Sequence, residues 1–332
     1  MSTTLPSLTR TIDDTFTHTW YEIQKDAVDN ILDANVVTAA LREKGCFTSQ
    51  VGGIFITRTI QYGKKETTEI AKGSILPHGE DELETMARWD WKYFATHVQR
   101  NAIDDQKNAG KFAIKNLVST KLKAAKQALQ DKLESVMFGA WSATAEAETT
   151  KTVLGLNELV PPYDDRENNT FGNIARSNDW WVPKYKEASA NPEVNLMSDM
   201  KNLFNTCTAH IESPDLIITG QTWFEIYEDF ALDMSQLLVK DSGKLVDLGY
   251  RVLKFKGADM VWVPDARIQL SSLNQMLMLN TNYIELVFDP KMWFAATEWK
   301  PIALQLERVM HILCTCNLIG TQPRRHGRLY AV

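Results

Sequence analysis

Cysteine is scarce: Cys46, Cys207, Cys314 and Cys316 are the only four in 332 residues. They are too few and too scattered to frame a chain of this length with disulfides. Cys314 and Cys316 stand two apart in the apolar run from Met310, a strand spacing that turns both to one face as small hydrophobes. With no second pair at matching spacing, and His311 alone nearby, no zinc site is assembled. Long apolar runs are also missing, since none reaches the roughly 18 residues that a membrane-spanning helix needs. The N-terminus, Met1-Ser-Thr-Thr-Leu-Pro6, lacks the basic and apolar regions of a secretory signal, which predicts a cytoplasmic chain with no membrane contact. There is no surplus of positive charge either. Thirty-six Lys and Arg against 42 Asp and Glu leave a net charge of -6, so any nucleic-acid contact has to be local. The one dense basic cluster, Arg324, Arg325, His326 and Arg328, reads either as a solvated, salt-bridged chain end or as a DNA contact.

The signatures of common catalytic sites are absent as well. No Gly-x-x-x-x-Gly-Lys-Ser/Thr loop, no Gly-x-Gly-x-x-Gly turn, no Gly-x-Ser-x-Gly elbow and no His-Glu-x-x-His pair occurs. The six histidines are scattered singly. Glu225, Glu228 and Asp229 share one face of a predicted helix, an arrangement that is ordinarily solvated. The sequon at Asn168 is expected to be incidental without a secretory signal. These absences nominate no catalytic residue, no cofactor and no metal, and they argue against an enzyme. An enzymatic reading survives only as residues gathered by folding around an aromatic-lined pocket near Trp180, Trp181 and Trp223.

What is present is a composition of 44% hydrophobic and 23% charged residues, enough to bury a sizeable core in two domains or one elaborate domain. In Gly53-Ile-Phe-Ile-Thr-Arg-Thr-Ile-Gln-Tyr62, the residues Ile54, Ile56, Ile60 and Tyr62 alternate as in a strand with one buried face. The chain then turns at Gly63-Lys64-Lys65. The expected return arm, Glu66 to Gly79, is too polar to build a core, and an isolated two-stranded ribbon is marginal in water, so the excursion requires outside support. Beyond it, Ile114, Val118, Leu122, Ala125, Leu129, Leu133 and Val136 form a helical stripe. A continuous helix from Asp104 to Phe138 would run roughly 50 Å at about 1.5 Å per residue. Asp104 and Asp105 suit its N-terminus, Gly139 a left-handed cap at its end, and Gly110 weakens its start.

A flexible arm (1–19) and a short helix carrying Trp20, Ile23, Ala27, Ile31 and Ala34 are expected to precede the body. Loops are expected at Ser142–Thr152 and, anchored by aromatics, at Pro161–Asn195. An α/β block then reads as helix Met200–Ile211, strand Asp215–Thr219, helix Trp223–Leu238 and strands Val252–Phe255, Met260–Val263, Met276–Leu279 and Tyr283–Phe288. Two final strands, Leu304–Val309 and Met310–Asn317, close the chain.

In order along the chain, these features resemble the major capsid proteins of tailed double-stranded DNA bacteriophages, the HK97-like fold. The matching pieces are the Gly52-Gly53 entry, Trp89-x-Trp91-Lys-Tyr93, Asn108-x-Gly110, Phe138-Gly139, Gly155-Leu156 and Arg176-Ser177 before Trp180-Trp181. They continue with Pro214-Asp-Leu-Ile-Ile-Thr-Gly-Gln221, Lys254-Phe-Lys-Gly-Ala258, Leu279-Asn-Thr281 and Asn317 to Arg325. The resemblance runs from about Gly45 to the C-terminus. It implies an α+β fold with an N-terminal arm and helix (1–44), an extended loop region (45–88) and a peripheral domain with a long spine helix (89–196). An axial domain (197–300) and C-terminal peripheral-domain strands (301–332) follow. The implied function is a coat subunit, not an enzyme, that self-assembles as hexamers and pentamers into an icosahedral virion capsid in the host cytoplasm. That shell confines a double-stranded DNA genome. A separate scaffolding protein and a portal are implied partners, and an encapsulin-like compartment around a cargo enzyme is the alternative with the same fold. The expected contacts between subunits are Arg58, Tyr62, Lys64, Lys65 and Lys72 in the excursion, and Arg324, Arg325 and Arg328 at the end. Some relatives carry a cross-linking lysine in the excursion; with no partner asparagine or activating carboxylate to place, these three lysines read as solvated.

Overall fold

The computed structural model describes residues 36–65, 67–73, 82–101, 125, 128–129, 132–133, 135–139, 152–167, 170–233, 253–263, 274–302 and 306–331. The expectations for the arm, for the helix from Trp20, for Asp104, Asp105, Gly110, Ile114, Val118 and Leu122, and for nearly all of the Ser142–Thr152 loop lie outside them. Helix α1 (Val36–Glu43) leads into β1 (Phe47–Ser49), and the hairpin of β2 (Phe55–Gln61) and β3 (Glu84–Asp90) runs into β4 (Lys92–Asn101). After helical residues between Ala125 and Met137 come the small hairpin β5 (Thr170–Phe171) and β6 (Ile174–Ala175), β7 (Lys184–Glu187) and α2 (Pro192–Cys207). Then follow β8 (Leu216–Gly220), α3 (Gln221–Asp233), β9 (Leu253–Phe255), β10 (Ala258–Val263) and β11 (Gln275–Leu279). The chain closes with β12 (Ile284–Phe288), β13 (Ala295–Ala296), β14 (Lys300–Pro301), β15 (Glu307–Gly320) and β16 (Gly327–Tyr330).

Two sheets organise these elements. In the first, β15 pairs antiparallel with β4 along one edge and with β12, β13 and β14 along the other, and β1 adds to β12 in parallel. The two strands expected at the end are thus one, because the apolar alternation Met310, Ile312, Cys314, Cys316, Leu318 continues through Asn317 without a turn, and all five of these apolar residues are buried. Cys314 and Cys316 do share that inward face, and burial holds the Cys314 thiol well above its usual range. Asn317 is a polar residue wholly buried in this strand. Its Oδ1 accepts from the Leu154 N–H at 3.0 Å and its Nδ2 donates to the Asp90 carbonyl at 2.8 Å, so it joins three segments at once.

The second sheet runs β7-β16-β11-β8-β10-β9. Its central strands are apolar at nearly every position, and the reason is burial on both faces. Leu216, Ile218, Val261, Val263, Leu277 and Leu279 face the core shared with the first sheet; the alternate residues Ile217, Met260, Met276 and Met278 face α2 and α3. Pro192 stands at the first turn of α2, where its missing N–H costs nothing, so the helix begins earlier than expected and ends at Cys207. The expected domain limits do not divide the sheets. β7 and β16 flank the 197–300 block in sequence yet complete its sheet, whereas β12 and β13, inside that block, and β14, across its limit, belong to the first sheet. Lys44 beyond α1 ties into the second sheet through Asp259 at 2.8 Å, and Lys254 grips the other oxygen of the same carboxylate at 2.7 Å. Burial works against the Lys44 charge, but the hydrogen bond and charge of Asp259 outweigh it and raise its pKa.

The helical stripe is present where it is described. Ala125, Leu129, Leu133, Val136 and Met137 are helical and buried, while Ala128, Lys132 and Ser135 are exposed. Gly139 does not take the left-handed conformation expected of it. The carbonyls of Phe138 and Gly139 are capped instead by the Asn157 side-chain amide, at 3.4 and 3.1 Å. Gly155 lies so close beneath this end that a Cβ would sit 2.4 Å from the Val136 carbonyl oxygen. Among the described residues no helix is long and apolar enough to cross a membrane.

Candidate assembly surface

The excursion is an antiparallel ribbon, but its return strand is β3 rather than the arm from Glu66 to Gly79. The register sets Ile56 against Trp89, Arg58 against Ala87 and Ile60 against Thr85. Trp89 and Ala87 supply the apolar partners that the polar arm could not, and Ile56, Ile60, Ala87 and Trp89 are all buried in this subunit's own core. The base of the ribbon therefore finds its support in the core of its own subunit. Alternation explains the split: the opposite face presents Thr57, Thr59, Met86 and Arg88, and Met86 is exposed.

Several polar contacts set the ribbon's direction. Arg58 forms a bidentate pair with Glu285 on β12, Nη2 to Oε2 at 2.6 Å and Nε to Oε1 at 3.3 Å. The Trp91 indole N–H donates to the Gly53 carbonyl at 2.9 Å, and the Arg88 backbone N–H to the Gly172 carbonyl at 2.9 Å. Tyr62 stacks on Trp180 with ring centres 4.8 Å apart. Past Tyr62 the character changes. Lys64, Lys65 and residues 67–73, Lys72 among them, are exposed throughout. Exposed apolar side chains flank the ribbon, with Val51 at 66% and Ile54 at 85% before β2 and Ile70 at 57% beyond it. Solvent-facing β-branched residues on a protruding ribbon are unfavourable in a lone subunit and suited to burial by a partner.

At the other end of the chain the basic cluster separates into three roles. Arg324 is exposed. Arg325 is buried, donating to the Ala209 carbonyl at 3.2 Å and to Gln322 Oε1 at 3.2 Å. Arg328 is wholly buried in β16, where its guanidinium donates to Gln275 Oε1 at 2.7 Å, to Asn157 Oδ1 at 2.8 Å and to the Val160 carbonyl. This overturns its assignment as a contact between subunits, because the strand alternation that buries Leu329 toward the helices sends Arg328 into the opposite core. Burial pushes its pKa down to about 10, which leaves it cationic at neutral pH among neutral acceptors. Neighbouring His326 is also fully buried; burial pushes its pKa down to about 3, and its Nδ1 accepts the Asn280 N–H at 3.2 Å.

Arg328→Ala is therefore expected to cost about 3–5 kcal/mol of stability by stranding three buried acceptors, whereas Arg324→Ala should change it by less than about 0.5 kcal/mol. Urea midpoints of the two variants decide this. An Arg328→Ala chain as stable as its parent but unable to assemble would restore the surface role.

The tryptophans proposed to line a pocket are apart. Trp181 is buried in the core of the first sheet, its indole N–H on the Phe171 carbonyl at 2.8 Å, and Trp223, on α3, lies in the second core. The second sheet stands between them. Glu285, Met86 and Val51 were not singled out from the sequence; only the phase of Met86 against Ala87 and Trp89 could have signalled its exposure.

No protein-family model matches the chain, and no curated protein matches its sequence. Solved structures do match its shape. The capsid asymmetric unit of cyanophage A-1(L) superposes with a TM-score of 0.62, covering 89% of this chain and 92% of that one at 13% identity. This chain has the HK97-like capsid fold. Two further structures share it. The capsid of the Myoviridae phage XM1 matches with a TM-score of 0.54 at 10% identity, over 87% of this chain and 91% of that one. The holo-SrpI encapsulin complex of Synechococcus elongatus matches at 0.52 and 8% identity, over 87% and 86%. In an HK97-like fold of nearly full length, the ribbon and the two sheets are parts of one architecture rather than separate oddities.

Proposed function

We propose that the chain is the major coat subunit of a tailed bacteriophage, assembling as hexamers and pentamers into an icosahedral shell around double-stranded DNA. The observation that carries this reading is the near full-length likeness to phage capsid subunits. The exposed apolar ribbon supports it, since a closed symmetric lattice buries on each neighbour what a lone subunit leaves in water. In this reading the first sheet and the long helix form the peripheral domain, and the second sheet with α2 and α3 forms the axial domain. Ile211, 98% exposed at the tip of the turn after α2, suits a contact near a symmetry axis. Lys64, Lys65, Lys72 and Arg324 are the contact residues that remain free to reach a neighbour; Arg58 and Tyr62 aim the ribbon from its base. Assembly in the host cytoplasm with a separate scaffold and portal belongs to the same proposal, and the net charge of -6 favours confinement over binding as the means of holding DNA.

The encapsulin match favours a second reading, a compartment enclosing a cargo protein. Electron microscopy of the purified recombinant chain, alone and with the companion proteins of its source, is expected to show closed shells. A monodisperse monomer under all of these conditions would overturn both readings, and a shell that co-purifies with a single protein cargo would favour the second.

A further inference from the structure

His97 and His311 are separated by most of the chain, yet they stand directly opposite each other across the antiparallel pair β4–β15. Both are exposed. Their strand neighbours Val98, Met310 and Ile312 point the other way and are buried, so both imidazoles leave the sheet on its outer face. Facing residues in such a pair have Cβ atoms about 4.5–5.5 Å apart. Two imidazoles at that separation can converge on one ion with metal–nitrogen bonds of about 2.0–2.1 Å.

The scaffold beneath them is rigid. His311 lies in an interior strand, where its backbone N–H donates to Thr297 Oγ1 at 2.9 Å and its carbonyl accepts the Thr297 N–H at 2.8 Å. Among the described residues neither imidazole has a hydrogen-bond or ion-pair partner. The adjoining cross-strand rows, Ala95 with Leu313 and Gln99 with Val309, are uncharged. Glu307 is engaged by Gln99 and by Asn101. The other titratable groups on the outer face of these strands and the adjacent one are Tyr93, Glu298 and Lys300, all exposed.

We propose that His97 and His311 form a two-imidazole chelate for a divalent first-row transition ion, binding Cu2+ more tightly than Zn2+ in keeping with the general affinity order. Two protein nitrogens leave the remaining coordination positions to water. Since each ligand nitrogen must be unprotonated, protons compete with the ion.

The test is calorimetric titration of the purified full-length chain with Cu2+ and with Zn2+. One tight ion per chain is expected at about pH 7.5. His97→Gln and His311→Gln should each weaken binding at least about tenfold, and the double variant no further, because a chelate is lost with either arm. The double variant keeps His18, His78, His210 and His326 and so reports their background. Both positions are exposed on regular strands, and unchanged thermal midpoints confirm that the variants fold. Single substitutions that leave affinity within about twofold, or whose losses add as two independent sites, overturn the proposal.

Discussion

Leu129→Asp is expected to unfold the subunit. Leu129 lies in the middle of the described helical stripe, 4% exposed, in one core with Leu133, Val136 and the inward residues of β15. The substitution removes a buried aliphatic side chain, which by itself costs about 2–5 kcal/mol. It also places a carboxylate among buried apolar side chains, a further cost of several kcal/mol whether the group is desolvated or forced to protonate. Together these rival the whole stability of a typical domain, about 5–15 kcal/mol. Loss of the cooperative transition in circular dichroism is the expected result. A variant with the parent's midpoint would mean that the stripe packs against nothing essential, and the helix would lose its place as the spine.

Removing Lys64 to Lys72 is expected to abolish assembly while leaving the subunit folded. Every described residue of that segment is exposed, and the buried anchors Ile56 and Ile60 precede it. A cut there should shift the unfolding free energy by no more than about 0.5 kcal/mol, the range of surface changes. Extending the cut back to Arg58 would mix two effects, since it also removes Ile60 and the ion pair to Glu285. Light scattering across a concentration series, beside a urea titration, separates assembly from folding. Normal shells from the shortened chain would show that the exposed tip is dispensable and that the contacts between subunits lie elsewhere.

The parts that were legible are those in which neighbours in sequence decide the outcome. The stripe from Ala125 to Val136 follows from side chains three and four residues apart meeting on one helical face, and no distant partner is needed to read it. The same holds for the β2 alternation that buries Ile56 and Ile60, and for Cys314 and Cys316 sharing a face. Strand pairing is different, because the partner can lie anywhere. The arm from Glu66 looked like the return strand since it came next, whereas the apolar partners were Ala87 and Trp89, some twenty residues on. Arg328 misled for a related reason: three arginines in five residues look like a surface, and only the packing of β16 between β7 and β11 shows that one of them points into the core.

By itself, then, the amino-acid order determined the helix stripe, the strand phases, the apolar character of the α/β block and the lack of any local catalytic motif. All of these depend on interactions within a few residues. The tertiary structure alone decided which strands share a sheet, and it returned β16 to the second sheet while drawing β12 into the first. It also decided that His97 faces His311, that Arg58 pairs with Glu285 and that Asn157 caps a helix eighteen residues before it. Contacts of that kind form only when the chain closes long loops, and the free energy that closes them comes from burying a shared core rather than from any one segment's own pattern.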